Sequence, residues 1–305
     1  MRSALYHISL YRIPPYTPYT PYTPYTPYTP LQRSTGHYES RISNYELLPM
    51  FNKLPWHALM IELFGTLFLS LAIGLSLGAG HGWTPFVAAA TLATLIYLGR
   101  SANSGHFNPA ITLAVMIHGK LSPQNAGLYL LLQLLGALGG AALVMALVQD
   151  GSFTFALLPV GSATLLQVLL AELLFTFLLA WGYLHAVTHP ANQLFGFSGT
   201  AVGLVYLIAW LGIAPISGAV LNPALGTGVN LLSQNYEPIW YYWVAPLLGA
   251  TLAAFFYRLT APQDPPRSLR RFFPEKPAQP PAEEEKPDNS AASETEAGPE
   301  SVEKN

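Results

Sequence analysis

Two triplets stand out for what their residues do together: Asn108-Pro109-Ala110 and Asn222-Pro223-Ala224. An Asn side chain accepts first-turn N–H bonds as a helix N-cap, and Pro is preorganised for the first helical position. Each triplet therefore predicts a helix start. The first helix reads from Asn108 to about His118, with Gly119 as its stop. Those eleven residues rise about 16 Å, roughly half of a ~30 Å bilayer core. A helix N-terminus carries about half a positive charge. Two such ends meeting tip to tip would repel cations and protons, while the two Asn amides offer donors to a neutral molecule. A water held by both would present its oxygen and could not relay a proton. One triplet alone is a common loop-to-helix start. Two, each after a small-residue turn (Ser104-Gly105 and Ser217-Gly218), are far more specific.

Little else offers reactive chemistry. Cysteine is absent, which excludes thiol nucleophiles, thiolate metal sites and disulfides. There is no metal-ligand cluster and no nucleophile–base spacing, so the chain reads as a non-enzyme without metal or cofactor. It has no basic stripe of the kind nucleic acid needs. Glu62 and Glu172 sit inside long apolar runs, where a carboxylate requires a partner.

The elements that must position these groups are membrane spans. Of 305 residues, 51% are hydrophobic and only 10% charged, against roughly 25% charged in soluble domains. No Lys or Arg lies between Leu121 and Tyr257, and the acids there are Asp150, Glu172 and Glu237. Six apolar segments, near 58–79, 83–101, 124–149, 164–186, 195–214 and 239–259, each suit a helix crossing a bilayer. They lack the period-2 alternation of barrel strands. Two shorter stretches, near 106–119 and 217–232, carry the triplets. Six crossings put all 14 Lys and Arg on one side or at its edge. The excess of basic residues then marks the cytoplasm, with both termini inside and the chain expected in the plasma membrane. Residues 1–57 form an N-terminal tail with five Pro-Tyr-Thr units from Pro15 to Thr29, a polyproline II sequence that buries no face. That tail reads as solvated, as a ligand for a proline-binding module, or as untranslated if synthesis starts at Met50. Residues 262–305, rich in Pro, Glu, Ala and Ser, read as an acidic disordered tail.

Between the tails, 58–261 reads as one channel domain of two halves, 58–149 and 164–259. Asn108 follows Glu62 by 46 residues and Asn222 follows Glu172 by 50. Gly136 lies 28 beyond the first Asn and Gly249 lies 27 beyond the second. Each half has three spans, so the second is inverted, and broken elements at such an interface mark a permeation site.

At this point the sequence resembles the aquaporin and glycerol-facilitator family over about residues 57–260. The matching residues are the Glu62 and Glu172 blocks, Ser104-Gly105-His106-Phe107-Asn108-Pro109-Ala110, Gln133 with Gly136, and Trp243-Val244-Ala245-Pro246. The resemblance implies an all-α hourglass of six transmembrane helices and two re-entrant half-helices, as a homotetramer in the lipid bilayer. It implies passage of water or a small uncharged solute. Glu62 and Glu172 become braces for the re-entrant backbone, with a proton relay as the alternative, and His106 becomes pore-lining.

The filter departs from the family pattern. Leu225 stands where Arg normally follows the second triplet, and the other filter positions fall on Ala88, Trp210 and Ala219. An apolar ring there removes fixed donors and a positive barrier. Gly226 replaces the Asp usual in glycerol facilitators, whereas Tyr242-Trp243 resembles water channels. Trp210 has a second reading as an interfacial, lipid-facing Trp. Arg100 reads as a vestibule charge or a headgroup anchor. Two rival functions remain: a secondary transporter of a small solute, and a non-conducting scaffold.

Overall fold

The computed structural model describes residues 56–264, except 81, 103, 149–155, 160 and 193–195. The Pro-Tyr-Thr repeats, Lys53, Asp150 and the acidic C-terminal run lie outside the described residues. Eight α-helices follow in order: α1 Trp56–Gly78, α2 Thr84–Gly99, α3 Pro109–Ile117 and α4 Pro123–Leu147, then α5 Leu165–Tyr183, α6 Ser198–Ser217, α7 Pro223–Leu232 and α8 Tyr241–Thr260. No strand occurs among the described residues. All but α3 and α7 belong to stretches long and apolar enough to cross a membrane. This is an all-α membrane fold of six transmembrane helices and two half-helices.

Local chemistry sets the ends. Ser122 caps α4 by accepting from Asn125 N, and Thr164 opens α5 in a capping box with Gln167. Beyond α5 the chain winds on as a π-turn, Leu184–Thr188, where Thr188 Oγ1 donates to Leu184 O at 2.7 Å. Segment five runs three residues past its expected end at 214. Pro215 does not stop α6, which closes at Gly218 in the left-handed region (φ 83°). Of residues 262–264, expected to begin the tail, Asp264 is buried and Gln263 Nε2 lies 3.1 Å from His189 Nε2.

The pairing of helices obeys the repeat. α1 packs mainly on α4, and its counterpart α5 packs on α8. α7 lies against α4 and α3 against α8, while α2 and α6 face each other across the halves. Close approach depends on small residues, as in membrane helix pairs generally. A Cβ at Gly136 would overlap Leu63 O of α1, and one at Gly249 would overlap Leu173 O of α5. Leu63 and Leu173 each follow the buried Glu of their half.

Polarity is turned inside out. Glu62, Thr66, Ser70, Thr112, Gln133, Glu172 and Asn230 are buried, whereas Phe64, Phe68, Leu131, Leu170, Leu174 and Phe255 are exposed. An apolar surround suits that distribution and water does not. At the basic face, Arg258 donates to Ile117 O at 2.6 Å, capping the end of α3. Asp264 accepts there from Lys120 Nζ (2.6 Å) and Tyr257 OH (2.8 Å) and pairs with His118 Nε2 (3.2 Å). Burial alone would raise the Asp264 carboxyl, but Lys120 and Tyr257, with His118, hold it below its usual value.

Gly136→Val should cost at least about 1–3 kcal/mol through overpacking, read as a lower melting temperature in detergent. Gly127→Ala, where an added Cβ meets nothing within 4 Å, should leave the melt unchanged or raise it slightly. Equal melts for the two variants would refute the close approach of α1 and α4.

Candidate functional site

The chain leaves helix twice inside the apolar layer, and each bare N–H there costs free energy unless it finds an acceptor. Glu62 supplies five bonds. Its Oε1 accepts from Ser104 Oγ (2.6 Å), Gly105 N (2.8 Å) and His106 N (2.8 Å). Its Oε2 accepts from Phe107 N and Gln133 Nε2, both at 2.7 Å. In the second half, Glu172 Oε1 accepts from Ser217 Oγ (2.7 Å) and Val220 N (3.0 Å), and Oε2 from Leu221 N (2.7 Å). Charged acceptors make such bonds about twice as strong as neutral ones.

The next residue of each break is strained in the same way. Phe107 and Leu221, each just before its Asn, both adopt φ 51°, which L residues rarely do without compensation. The Glu-bound N–H groups hold these turns. Their carbonyls then face the opposite half: Asn108 Nδ2 donates to Leu221 O, and Asn222 Nδ2 donates to Phe107 O, each at 2.8 Å. On the other side of each amide, Asn108 Oδ1 accepts from Ala110 N (2.8 Å). Asn222 Oδ1 accepts from Ala224 N (3.0 Å) and Leu225 N (3.4 Å). Pro109 and Pro223 occupy the first helical positions of α3 and α7. The two half-helix starts are thus locked to each other through their own caps. One N–H of each amide is left over.

A narrow cavity lies beside this lock. Both Asn residues, His106, Tyr183 and Tyr206 line it, with Leu69, Leu92, Ile96, Ile111, Leu179 and Val202 as its apolar wall. Room for a water centre amounts to about 10 Å³, close to what one water needs. His106 is held by Thr112 Oγ1 at 3.1 Å from Nδ1 and by the rings of Tyr129 and Tyr183. Thr112 donates to Asn108 O and accepts from Gln133 Nε2. The arrangement satisfying all of these puts the His106 proton on Nδ1 and leaves Nε2 an acceptor.

Ala88, Trp210, Ala219 and Leu225 are all buried, so Trp210 is not lipid-facing. None of the four lines the cavity, whose neighbouring positions are Leu92 and Tyr206, one helical turn from Ala88 and Trp210. Gly226 has a steric reason: a Cβ there would come within 2.8 Å of the Tyr242 Cβ. Trp243 Nε1 donates to Thr227 Oγ1 at 2.8 Å, and Arg100 donates to Ser198 Oγ at 3.2 Å. Tyr183 and Tyr206 escape the sequence reading. The available signal for Tyr206 is its place four residues before Trp210, on the same face of α6.

These features define a class: a six-span membrane protein whose inverted halves meet at two capped half-helices. Residues 52–257 match the family model described as Major intrinsic protein. The lens fiber major intrinsic protein of Gallus gallus is 33% identical over 220 residues, covering 67% of this chain and 81% of the relative. Aquaporin TIP4-4 of Zea mays is 32% identical over 214 residues, covering 66% of this chain and 84% of the relative. The X-ray structure of the aquaglyceroporin from Plasmodium falciparum aligns with a TM-score of 0.61 and 21% identity, over 69% of this chain and 99% of that one. That last likeness speaks for the fold alone. The chain belongs to the major intrinsic protein family.

Glu62→Gln should be the more damaging of the two brace substitutions. A Gln places its own N–H₂ against donors and loses the charge that five bonds share, costing on the order of 3 kcal/mol or more. Glu172→Gln, with three bonds to lose, should retain more folded protein by size-exclusion recovery. The reverse ranking would contradict the unequal bracing.

Proposed function

We propose that this chain is a passive channel for water or another small uncharged solute, conducting between its two halves past Asn108 and Asn222. The observation that carries this reading is the reciprocal lock of the two Asn caps beside a cavity with room for about one water. The N-termini of α3 and α7 place about half a positive charge each at that level, which disfavours cations. The spare amide N–H groups offer donors to a neutral molecule, whose oxygen they would orient. Relatives named aquaporin, and membership of a family of channels, support the same direction. His106 then offers an acceptor to the same file. Ala88, Trp210, Ala219 and Leu225 form an apolar outer ring in this proposal, so cation exclusion rests on the half-helix ends. Glu62 and Glu172 act as braces and form no proton relay.

The proposal extends to context. Residues 58–261 form the conducting body, with Trp56 and His57 in its first helix and 262–264 held against it, and tails beyond these. The body assembles as a homotetramer in the plasma membrane, with Arg100, Lys120 and Arg258 on the cytoplasmic face by the positive-inside rule.

The test is stopped-flow shrinkage of proteoliposomes with sucrose, then with glycerol, urea and ammonia. Water permeability should exceed that of bare lipid several-fold. Bare-lipid rates for every solute would sink the channel reading. Leu225→Arg should lower the ammonia-to-water permeability ratio roughly tenfold, since its several fixed donors can engage both lone pairs of water but the single lone pair of ammonia, and its bulk refills the ring. An unchanged ratio would remove Leu225 from the conducting path.

A further inference from the structure

Tyr206 is out of place in an otherwise aliphatic wall. It is 2% exposed, yet its hydroxyl closes no hydrogen bond with any described residue. A buried polar atom left bare in this way calls for a partner that the protein does not supply. Its nearest polar neighbour is the Nε1–H of Trp210, which also closes no hydrogen bond, and only a loose contact joins the two. Their rings meet edge to face at 6.3 Å. Tyr206 borders the cavity and Trp210, one helical turn further along α6, does not. Among the described residues, the other polar side chains on that lining are Asn108, Asn222, His106 and Tyr183, whose hydroxyl is already committed to Gly105 O at 3.2 Å.

We propose that Tyr206 is a further specificity-determining residue of the conducting path, beside the outer ring. Its hydroxyl exchanges a hydrogen bond with the permeating molecule between the Asn pair and the apolar outer ring, and its ring sets the width there at one water. The solute class that fits is one no wider than water that both donates and accepts hydrogen bonds. A polyol does not pass the ring. Beyond Tyr206 the four outer positions offer the Trp210 Nε1–H as their one polar side-chain atom. A molecule entering that ring therefore depends on Tyr206 to recover part of its lost hydration. This inference rests on the channel reading above.

The hydroxyl has only the loose contact with Trp210 inside the protein, so a purely structural role for Tyr206 expects little from its removal. Tyr206→Phe keeps the ring and deletes only that atom. Per folded channel, its water permeability in proteoliposomes should fall about three- to tenfold, the worth of one hydrogen bond. Its melting temperature in detergent should not fall. Tyr206→Val removes the ring as well and should admit glycerol, which the wild-type channel excludes. Wild-type water permeability in Tyr206→Phe would overturn the proposed role of the hydroxyl. Continued exclusion of glycerol by Tyr206→Val would overturn the role of the ring. Wild-type protein at bare-lipid rates would instead remove the channel reading, and this inference with it.

Discussion

A backbone that leaves helix inside an apolar layer must still satisfy its N–H and C=O groups, and the protein meets that demand twice. Glu62 and Glu172 supply concentrated acceptors for residues 104–107 and 217–221. Those bonds hold Phe107 and Leu221 in a left-handed conformation that neither side chain favours. The strained turns present their carbonyls to the opposite Asn, and the Asn amides complete the helix caps. Each link needs the one before it. A carboxylate without the close approach of α1 and α4 would be an unpaired charge in lipid, which costs far more than the bonds return. Gly136 and Gly249 permit that approach in the two halves at matching places.

Much of this was legible in the sequence for local reasons. Asn followed by Pro specifies a helix start whatever surrounds it, so α3 and α7 were readable from two triplets. Length and apolarity sufficed for the six spans, and matching offsets sufficed for the inverted repeat. What escaped depends on tertiary placement. α6 runs past Pro215, as transmembrane helices can, and Gly218 in the left-handed region makes the actual stop. The reciprocal Asn–carbonyl bonds join residues 113 and 115 apart, which no local pattern announces. Tyr206 carries no such local signal: counting from the triplets leads to Trp210, and only the rotation of α6 against α2 shows which residue borders the cavity.

The cavity explains why so few polar groups appear along it. Its walls are Leu, Ile and Val, and the hydrogen-bonding positions are few and separated. Apolar walls hold a passing molecule weakly, and sparse polar groups compensate its lost hydration only at intervals. On the proposed reading, that balance allows entry without retention, and the paired half-helix ends set the sign of charge the path rejects. The absence of a cation next to Ala224 leaves those ends as the principal positive feature of the path.

The central claim is that the locked half-helix pair passes a neutral molecule and breaks the proton wire. It is tested most directly by measuring both fluxes in one preparation. Proteoliposomes loaded with a pH-sensitive dye, with valinomycin and potassium clamping the voltage, report proton entry, while light scattering reports water. The account expects water permeability well above bare lipid, with proton entry no faster than bare lipid at the same gradient. Proton entry that rises in step with water permeability would contradict it.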